Sequence, residues 1–512
     1  MRSTMWAREV RPPAWDAAVI DVGSNSVRLV LYRVEGRAVW TVFNEKILAG
    51  LGRDIALTGR LSAEGVEAAM AALRRFTALV AAAKPDRVFA VATAAARDAE
   101  DGPAFCRRVR AETGLDLRVL TGAEEARYAA LGVLAGAPDS VGTAGDLGGA
   151  SLELIRLGEP DHGVTLPLGP FAFRDTGRFD PDRIQSQVAR RLKPHAARLS
   201  TPVFHAVGGA WRNLALLAMR MSAYPLEIVH QYEMTRREAL EAAHVIARQS
   251  VRSLEKIEGI SKRRLETLPH AAAVMEGLIE ALDVERVVLS AYGLREGVLF
   301  EAMPETCRVQ DPLIEGCAAW SGREGANPEL GGAVERWVAP AFDALEPVLG
   351  VRDPVLVSAA CRLADLGARL HPDHRADLIF AQVLRAPIPG MNHSERVFLA
   401  TALFGRHTAA ATVPQPDLSQ RLLTHEGMQR ARALGAAIRL ACDLSGRSVE
   451  LLQRARLSLA LDAVVLEVDD GAAPILLGEQ TAKRAAALAA LLERDLKLGA
   501  STPERRKSER VA

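Results

Sequence analysis

Two short stretches of acid, glycine and serine place reactive groups at spacings that could do chemistry. In Val19-Ile20-Asp21-Val22-Gly23-Ser24-Asn25-Ser26 an apolar run reaches an acid, turns through small polar residues and re-enters the apolar run Val27-Arg28-Leu29-Val30-Leu31-Tyr32. The pattern predicts a strand, a tight turn and a returning strand. A turn with so little side-chain bulk and so many N–H and hydroxyl groups lets a phosphate approach closely. Gly23, Ser24, Asn25 and Ser26 are therefore candidate phosphate contacts, and Asp21 at the strand end is placed to hold a divalent cation. A weaker copy, Gly145-Asp146-Leu147-Gly148-Gly149-Ala150-Ser151, runs on into Leu152-Glu153-Leu154-Ile155 and offers Gly148, Gly149 and Ser151 for the same work. Two such hairpins facing each other would clamp a metal and a phosphate. Neither is a P-loop, which needs a Lys that is missing here, and neither leads from strand to helix as a dinucleotide turn does.

Further groups fall near these hairpins. In Thr121-Gly122-Ala123-Glu124-Glu125, Thr121 and Glu124 have capping-box spacing, which leaves Glu125 free to face a cleft and polarise a water. The blander alternative for Glu125 is an acid placed against the helix dipole. Thr93 and Arg97, in Ala92-Thr93-Ala94-Ala95-Ala96-Arg97-Asp98, follow a strand end, where open α/β sheets bind ligands. Arg97 could grip a phosphate in bidentate fashion or form a surface ion pair with Asp98. Arg28 could face solvent or the cleft. Gly208-Gly209 closes another strand and opens a helix, and Lys262-Arg263-Arg264 is a compact cationic run.

These groups need a frame. Strand and helix patterns alternate from the first hairpin to about residue 300, which predicts an α/β layer with a largely parallel sheet. Helical periodicity runs from Ser62 to Ala83, strands are expected at Arg87–Thr93 and Leu115–Leu120, and the plan repeats after Asp146. Two lobes, each opened by a hairpin, imply a duplicated fold with its ligand between them. From about Pro304 Ala/Leu/Arg helical periodicity takes over. A short alternating piece, Ser458 to Leu477, precedes a helix expected over Thr481–Leu498 and a charged tail expected to be disordered. The domains are thus set at 15–130, 131–305, 306–456, 457–500 and a tail at 501–512.

At 512 residues, with 49% hydrophobic and 25% charged residues and a net charge of +1, the chain reads as a multidomain globular protein. No global field recruits nucleic acid or an anionic membrane, so polyanion contacts must come from local cationic clusters. Candidates are Lys262-Arg263-Arg264, Arg369 to Arg375, and Arg406-His407. Five dispersed cysteines without metal spacing point to a reducing compartment. The start of the chain lacks the apolar core of a signal peptide, so a cytoplasmic location is expected.

Six stretches, in order, resemble the exopolyphosphatase / guanosine pentaphosphate phosphohydrolase family. They are Asp21–Ser26, Ala92–Ala99, Thr121–Arg127, Asp146–Leu154, Val207–Gly209 and Tyr292–Gly297. The resemblance spans about residues 15–305. It implies an α/β, duplicated actin-like (ribonuclease H-like) two-lobed fold, followed by a helical HD-like domain. It also implies Glu125 as general base, Mg²⁺ held by Asp146 and Glu153 with Asp21, and Gly-Ser turns as phosphate loops. A homodimer is implied as well. Two departures stand out: Gly148-Gly149-Ala150-Ser151 has alanine where a third glycine is common, and the stretch before Arg97 is alanine-rich. In the helical domain Ala364-Asp365 stands where an HD enzyme needs adjacent His and Asp, and His371, His374 and His407 are read as surface or phosphate-contacting groups. The expected activity is Mg²⁺-dependent release of terminal orthophosphate from inorganic polyphosphate. The alternatives are hydrolysis of guanosine pentaphosphate, a kinase, or a non-catalytic sensor of polyphosphate or an alarmone. The helical domain is expected to extend the track for long chains.

Overall fold

The computed structural model describes residues 14–176, 179–250, 253 and 267–501. The tail 502–512 and the cationic run Lys262-Arg263-Arg264 lie outside them. The chain divides between Val309 and Gln310 into two compact units.

The first unit holds two sheets built to one plan. Strands β1 (Ala14–Val22), β2 (Val27–Glu35), β3 (Ala38–Ile47), β4 (Arg87–Ala92) and β5 (Arg118–Val119) lie in the order β3-β2-β1-β4-β5. The second sheet uses β6 (Thr143–Leu147), β7 (Leu152–Arg156), β8 (Val164–Leu166), β9 (Val203–Val207), β10 (Glu233–Thr235) and β11 (Arg286–Leu289). Its order, β8-β7-β6-β9-β11-β10, repeats the first and adds one antiparallel edge strand. In each lobe an antiparallel hairpin is followed by parallel strands reached through helical crossovers.

Side-chain parity decides which groups face the ligand. Ala18, Ile20 and Val22 pack into one core with Met70, Leu73 and Phe76. Trp15, Ala17 and Val19 point to the other face, against Leu299 and Met303. With a period of two, Asp21 must share the face of Val19, toward the helix Leu294–Ala302. In the second lobe Leu152 and Leu154 enter the large core, while Ala144 and Ile155 pack on Ala126, Ala130 and Val133. Asp146 and Glu153 share that second face, toward the helix Gly122–Gly136. The helix that follows each lobe's last strand of the shared plan thus packs on the inner face of the other lobe. The two helices meet backbone to backbone. A Cβ on Gly132 would sit 2.1 Å from the Gly293 carbonyl oxygen, and one on Gly297 1.9 Å from that of Tyr128. Only glycine permits this approach.

Several sequence-based boundaries shift. The cut at 130/131 falls inside the helix Gly122–Gly136, and Leu115–Leu120 forms a strand only at Arg118–Val119. Helix Glu479–Leu491 stops before the expected end, and Glu493 takes a positive φ of 54°. Asp495–Ser501 becomes strand β14, parallel to β13 (Ala463–Asp469), with β12 (Ala455–Leu459) on the other side. The alternating pattern of Leu496-Lys497-Leu498 suits that strand, and Ser501 ends it rather than opening a tail.

The second unit is otherwise helical. Its expected cationic track is used differently. Leu363 to Leu370 is a run of turns between two helices, so its carbonyls lack helical partners. Arg406 donates to the Ala364 oxygen, the His407 ring contacts that of Leu366, and Arg375 donates to those of Ala368 and Leu370. Burial, with Arg406 adjacent, lowers the His407 pKa to about 3, so its ring is neutral. Asp365 pairs with Arg447 at 3.2 Å, and His371 and His374 are exposed. Among the described residues no helix is long and apolar enough to cross a membrane.

Candidate active site

The two hairpin turns close with the same hydrogen bond. Gly23 N–H donates to the Ser26 carbonyl at 2.9 Å, and Gly148 N–H to that of Ser151 at 2.9 Å. They face each other: a Cβ on Gly149 would lie 3.3 Å from the Asn25 backbone nitrogen. Between the lobes is a cavity of about 440 Å³. Residues Gly23 to Ser26 line it from one side, and Gly148, Gly149 and Ser151 from the other. Thr93, Arg28, Gly208 and Gly209 complete the wall, and Asp21, Glu125 and Asp146 supply the acids. Arg28 therefore faces the cleft, as its parity with Val30 and Tyr32 requires. Gly208 has a φ of 109°, and a Cβ there would come within 2.9 Å of Asp146 Oδ1. This position tolerates glycine alone.

The acids differ in their partners. Thr121 and Glu124 complete a capping box, which frees the neighbouring Glu125 to line the cavity. Glu125 is buried, and Arg97 donates to its Oε2 at 3.1 Å. Burial drives its pKa up to about 8 against the pull of Arg97, with Asp146 and Asp21 adding repulsion. Asp146 keeps an edge on the cavity but lies deep, and burial followed by repulsion from Asp21 lifts it to about 6. Asp21 accepts from Arg295 at 2.9 Å.

Two expected site residues do not line the cavity. Arg97 forms the ion pair with Asp98, at 2.9 Å, and orients Glu125. Its guanidinium is engaged by two carboxylates and the Leu120 carbonyl rather than presented to a phosphate. Glu153 is 1% exposed and stands behind the acids. Neither of its oxygens has a hydrogen bond by geometry among the described residues. Burial and then the Glu125 charge raise its pKa far above the usual range, although the Ser151 hydroxyl lies near enough to oppose them.

The donor set fits a cation. Burial raises the pKa values of Glu125, Asp146 and Glu153, and repulsion among the acids adds to it. Among the described residues no three His, Cys, Asp or Glu converge tightly enough to enclose an ion. A hard ion such as Mg²⁺ keeps several waters and binds through one or two carboxylates plus substrate phosphates. Asp146 is the carboxylate best placed for it, because Asp21 is already matched by Arg295.

Sequence reading missed several polar groups of the wall, among them Asn44, Lys46, Arg212 and Arg295. Arg212 donates to the Ala291 carbonyl at 2.8 Å, and Asn44 accepts from Arg28 at 2.8 Å. Burial, with Arg295 and Arg212 nearby, lowers Arg28 to about 10, so three guanidiniums converge on one wall. A signal existed. Arg212 and Arg295 stand in the first turns of helices Gly209–Met221 and Leu294–Ala302, where the dipole disfavours a cation.

Over residues 30–306 the chain matches the Ppx/GppA phosphatase family model, and over residues 341–498 that of the exopolyphosphatase C-terminal domain. Exopolyphosphatase 1 of Mycobacterium tuberculosis is 28% identical over 304 residues, covering 56% of this chain and 87% of that protein. The crystal structure of an exopolyphosphatase-like protein superposes with a TM-score of 0.51 at 23% identity, covering 57% of this chain and 98% of its own. That of an exopolyphosphatase from Cytophaga hutchinsonii gives a TM-score of 0.51 at 21% identity, with 56% and 97% covered. These likenesses show the fold, a duplicated actin-like α/β core of two lobes. The match over more than half of its length makes the chain a member of the Ppx/GppA phosphatase family.

Proposed function

We propose that the chain is an exopolyphosphatase that releases terminal orthophosphate from inorganic polyphosphate by direct attack of water. The observation that carries this reading is Glu125, a buried carboxylate on the cavity, freed from capping by Glu124 and held at 3.1 Å by Arg97. The names of the curated relatives and the match to the exopolyphosphatase C-terminal model favour this substrate.

The terminal phosphoryl group would rest between the two turns, where backbone N–H groups and the Ser24 and Ser151 hydroxyls can receive its oxygens. Arg28, Arg212 and Arg295 balance its charge from one wall. Glu125 takes a proton from the attacking water, and Arg97 fixes the carboxylate so that this water is met in one orientation. Asp146 is the residue that would hold Mg²⁺, with Glu153 behind it; when bound, the ion supplies charge neutralisation for the phosphoryl oxygens. No covalent enzyme intermediate is required. A cation held there would also bring Glu125 down from about 8, because countercharge favours its ionised form.

The test is phosphate release from long polyphosphate and from guanosine pentaphosphate, side by side, with and without Mg²⁺. Release from polyphosphate that depends on Mg²⁺ is the expected result. Exclusive use of the nucleotide would replace the substrate, and no release from either would leave a binding protein in place of an enzyme.

A further inference from the structure

Glu296 stands among the cations of the wall without lining the cavity. It follows Arg295 in the first turn of helix Leu294–Ala302, where an acid has a plain role: its Oε2 accepts the Gly293 N–H at 2.9 Å. A cap needs only one oxygen. The other, Oε1, accepts the hydroxyl of Tyr32 at 2.8 Å. Tyr32 is buried on β2 in the opposite lobe and shares a strand face with Arg28. The Arg295 guanidinium lies close enough to the same hydroxyl to use it as an acceptor. Glu124 shows what a cap alone looks like: one oxygen takes the Thr121 N–H, and the other meets Arg118 at the surface.

The second task of Glu296 is electrostatic. Burial works against the Arg295 charge, and Glu296 leads the groups that sustain it, ahead of Asp21. Burial and Arg295 lower Arg28 to about 10, and Glu296 is the strongest influence the other way. Burial disfavours the Glu296 charge in turn, while Arg295, the Gly293 N–H, the Tyr32 hydroxyl and Arg212 hold its pKa below the usual range. One carboxylate is thus shared by three guanidiniums, and its two hydrogen bonds keep it out of the cavity. The cations that draw in a terminal phosphoryl group also face the orthophosphate it becomes, so an unopposed wall would hold the product as firmly as the substrate. A carboxylate fixed behind the wall lowers the affinity without touching either. We propose that Glu296 is a positioning residue that acts through Arg295 and Arg28 to hold down the affinity of the arginine wall for orthophosphate, so that each cleaved phosphate leaves. This rests on the phosphohydrolase reading of the site and assigns product release to a group outside the cavity.

The test measures equilibrium binding of inorganic phosphate to the full chain, at fixed pH and salt, in the wild type, Glu296→Gln and Tyr32→Phe. Glu296→Gln keeps a hydrogen-bonding oxygen and removes the charge. It should tighten phosphate by about tenfold, the scale of one unit charge acting over several ångströms inside a protein. A role confined to capping, or to holding Arg295 in place, predicts the opposite sign, because a loosened wall binds phosphate less well. Tyr32→Phe removes the hydroxyl and keeps the charge, so phosphate should bind within about twofold of the wild type. In turnover on polyphosphate, Glu296→Gln should lower KM and kcat together and make added phosphate a stronger inhibitor, the pattern of a product that leaves late.

Phosphate binding that is unchanged or weaker in a folded Glu296→Gln would overturn the assignment. If that variant yields no folded protein, Tyr32→Phe still tests the idea: binding close to the wild type supports it, and weaker binding overturns it, since the hydroxyl would then serve to place Arg295. Tighter phosphate in Glu296→Gln, alongside a wild type that releases none from polyphosphate, would instead sink the hydrolytic reading and leave Glu296 as the brake on anion affinity.

Discussion

Asp21 and Asp146 occupy the same place in two copies of one hairpin, each opposite the first residues of its returning strand, yet their surroundings have diverged. Asp21 faces Arg295 at 2.9 Å and is matched. Asp146 faces Asp21 and the other acids, and burial and repulsion lift it to about 6. The parity of the strands sends both into the same cleft, so the backbone treats them alike. What differs is the helix each lobe borrows from the other: Leu294–Ala302 brings a cation to Asp21, while Gly122–Gly136 brings Glu125 to the face of Asp146 and Glu153. Duplication thus produced one lobe that arrives with its countercharge and one that waits for it.

The largest effect expected from this division falls on Glu125, the acid that belongs to neither hairpin. Glu125→Gln should lower turnover by at least about a hundredfold, the scale of a lost general base. Binding of polyphosphate should survive, because the shape is kept. Near-normal turnover in this variant would take Glu125 out of the mechanism and leave only the paired aspartates to explain the chemistry.

The aspartates themselves should respond with opposite signs. Asp146→Asn removes a carboxylate that the metal-free protein holds at a cost, so it should stabilise that state by on the order of 1–2 kcal/mol. It should also weaken the dependence of activity on Mg²⁺, since an amide is a poorer ligand than a carboxylate. Asp21→Asn takes one carboxylate from the buried Arg295 guanidinium, which keeps Glu296 and Tyr32 nearby, and should cost about 2 kcal/mol. Denaturant titrations of the two variants without metal would show this directly. Equal shifts of one sign would mean that the hairpins are electrostatically equivalent after all.

Proton linkage gives a further test. The raised pKa values of Glu125 and Asp146 mean that the folded metal-free protein binds protons more tightly than the unfolded chain. Their contribution to stability is therefore best at low pH and declines as pH rises from about 4 to about 8. Mg²⁺ needs the ionised forms, so its stabilisation should grow over the same window. The expected outcome is a larger rise in Tm on adding Mg²⁺ near pH 8.5 than near pH 5.5. A metal effect that did not change with pH would place the ion away from these acids.

How much of this was readable in advance varied with the kind of residue. Both turns were visible because glycine and serine at a strand end are local signals, and the free status of Glu125 followed from the capping box beside it. The repeat of strand order from one lobe to the other also followed the hairpin repeat. Arg97 was left open between a phosphate and an ion pair with Asp98; the pair forms, and its second partner, Glu125, is brought by tertiary geometry. Lys46 and Arg212 were missed because they lie outside the quoted motifs, one on an edge strand and one three residues beyond Gly208-Gly209. Arg295 sat inside a recognised motif, yet only parity between β1 and its helix shows that it meets Asp21. In the second unit the basic residues read as a track for anions, but Leu363 to Leu370 abandons helix and needs donors for its carbonyls, and Arg375, Arg406 and His407 provide them. Charge counting cannot see a shortage of backbone donors.

The smallest effect should come from Glu124, one residue from the largest. Its Oε2 accepts from the Thr121 N–H at 2.9 Å and from the Thr121 hydroxyl at 2.9 Å, and its Oε1 pairs with Arg118 at the surface. The hydrogen bond from the Thr121 backbone, followed by those from Arg118 and the Thr121 hydroxyl, lowers its pKa against burial. Glu124→Gln keeps the reach of the side chain and much of the cap, and gives up charge at a site that solvent screens. The loss should be about 1 kcal/mol or less, with turnover unchanged. Because Gly122 to Glu125 form one helical turn, a cap that mattered to catalysis by aiming the helix would betray itself here. If Glu124→Gln lowered turnover as Glu125→Gln does while the fold held, the two acids would act as one unit, and the clean split between cap and base would be lost.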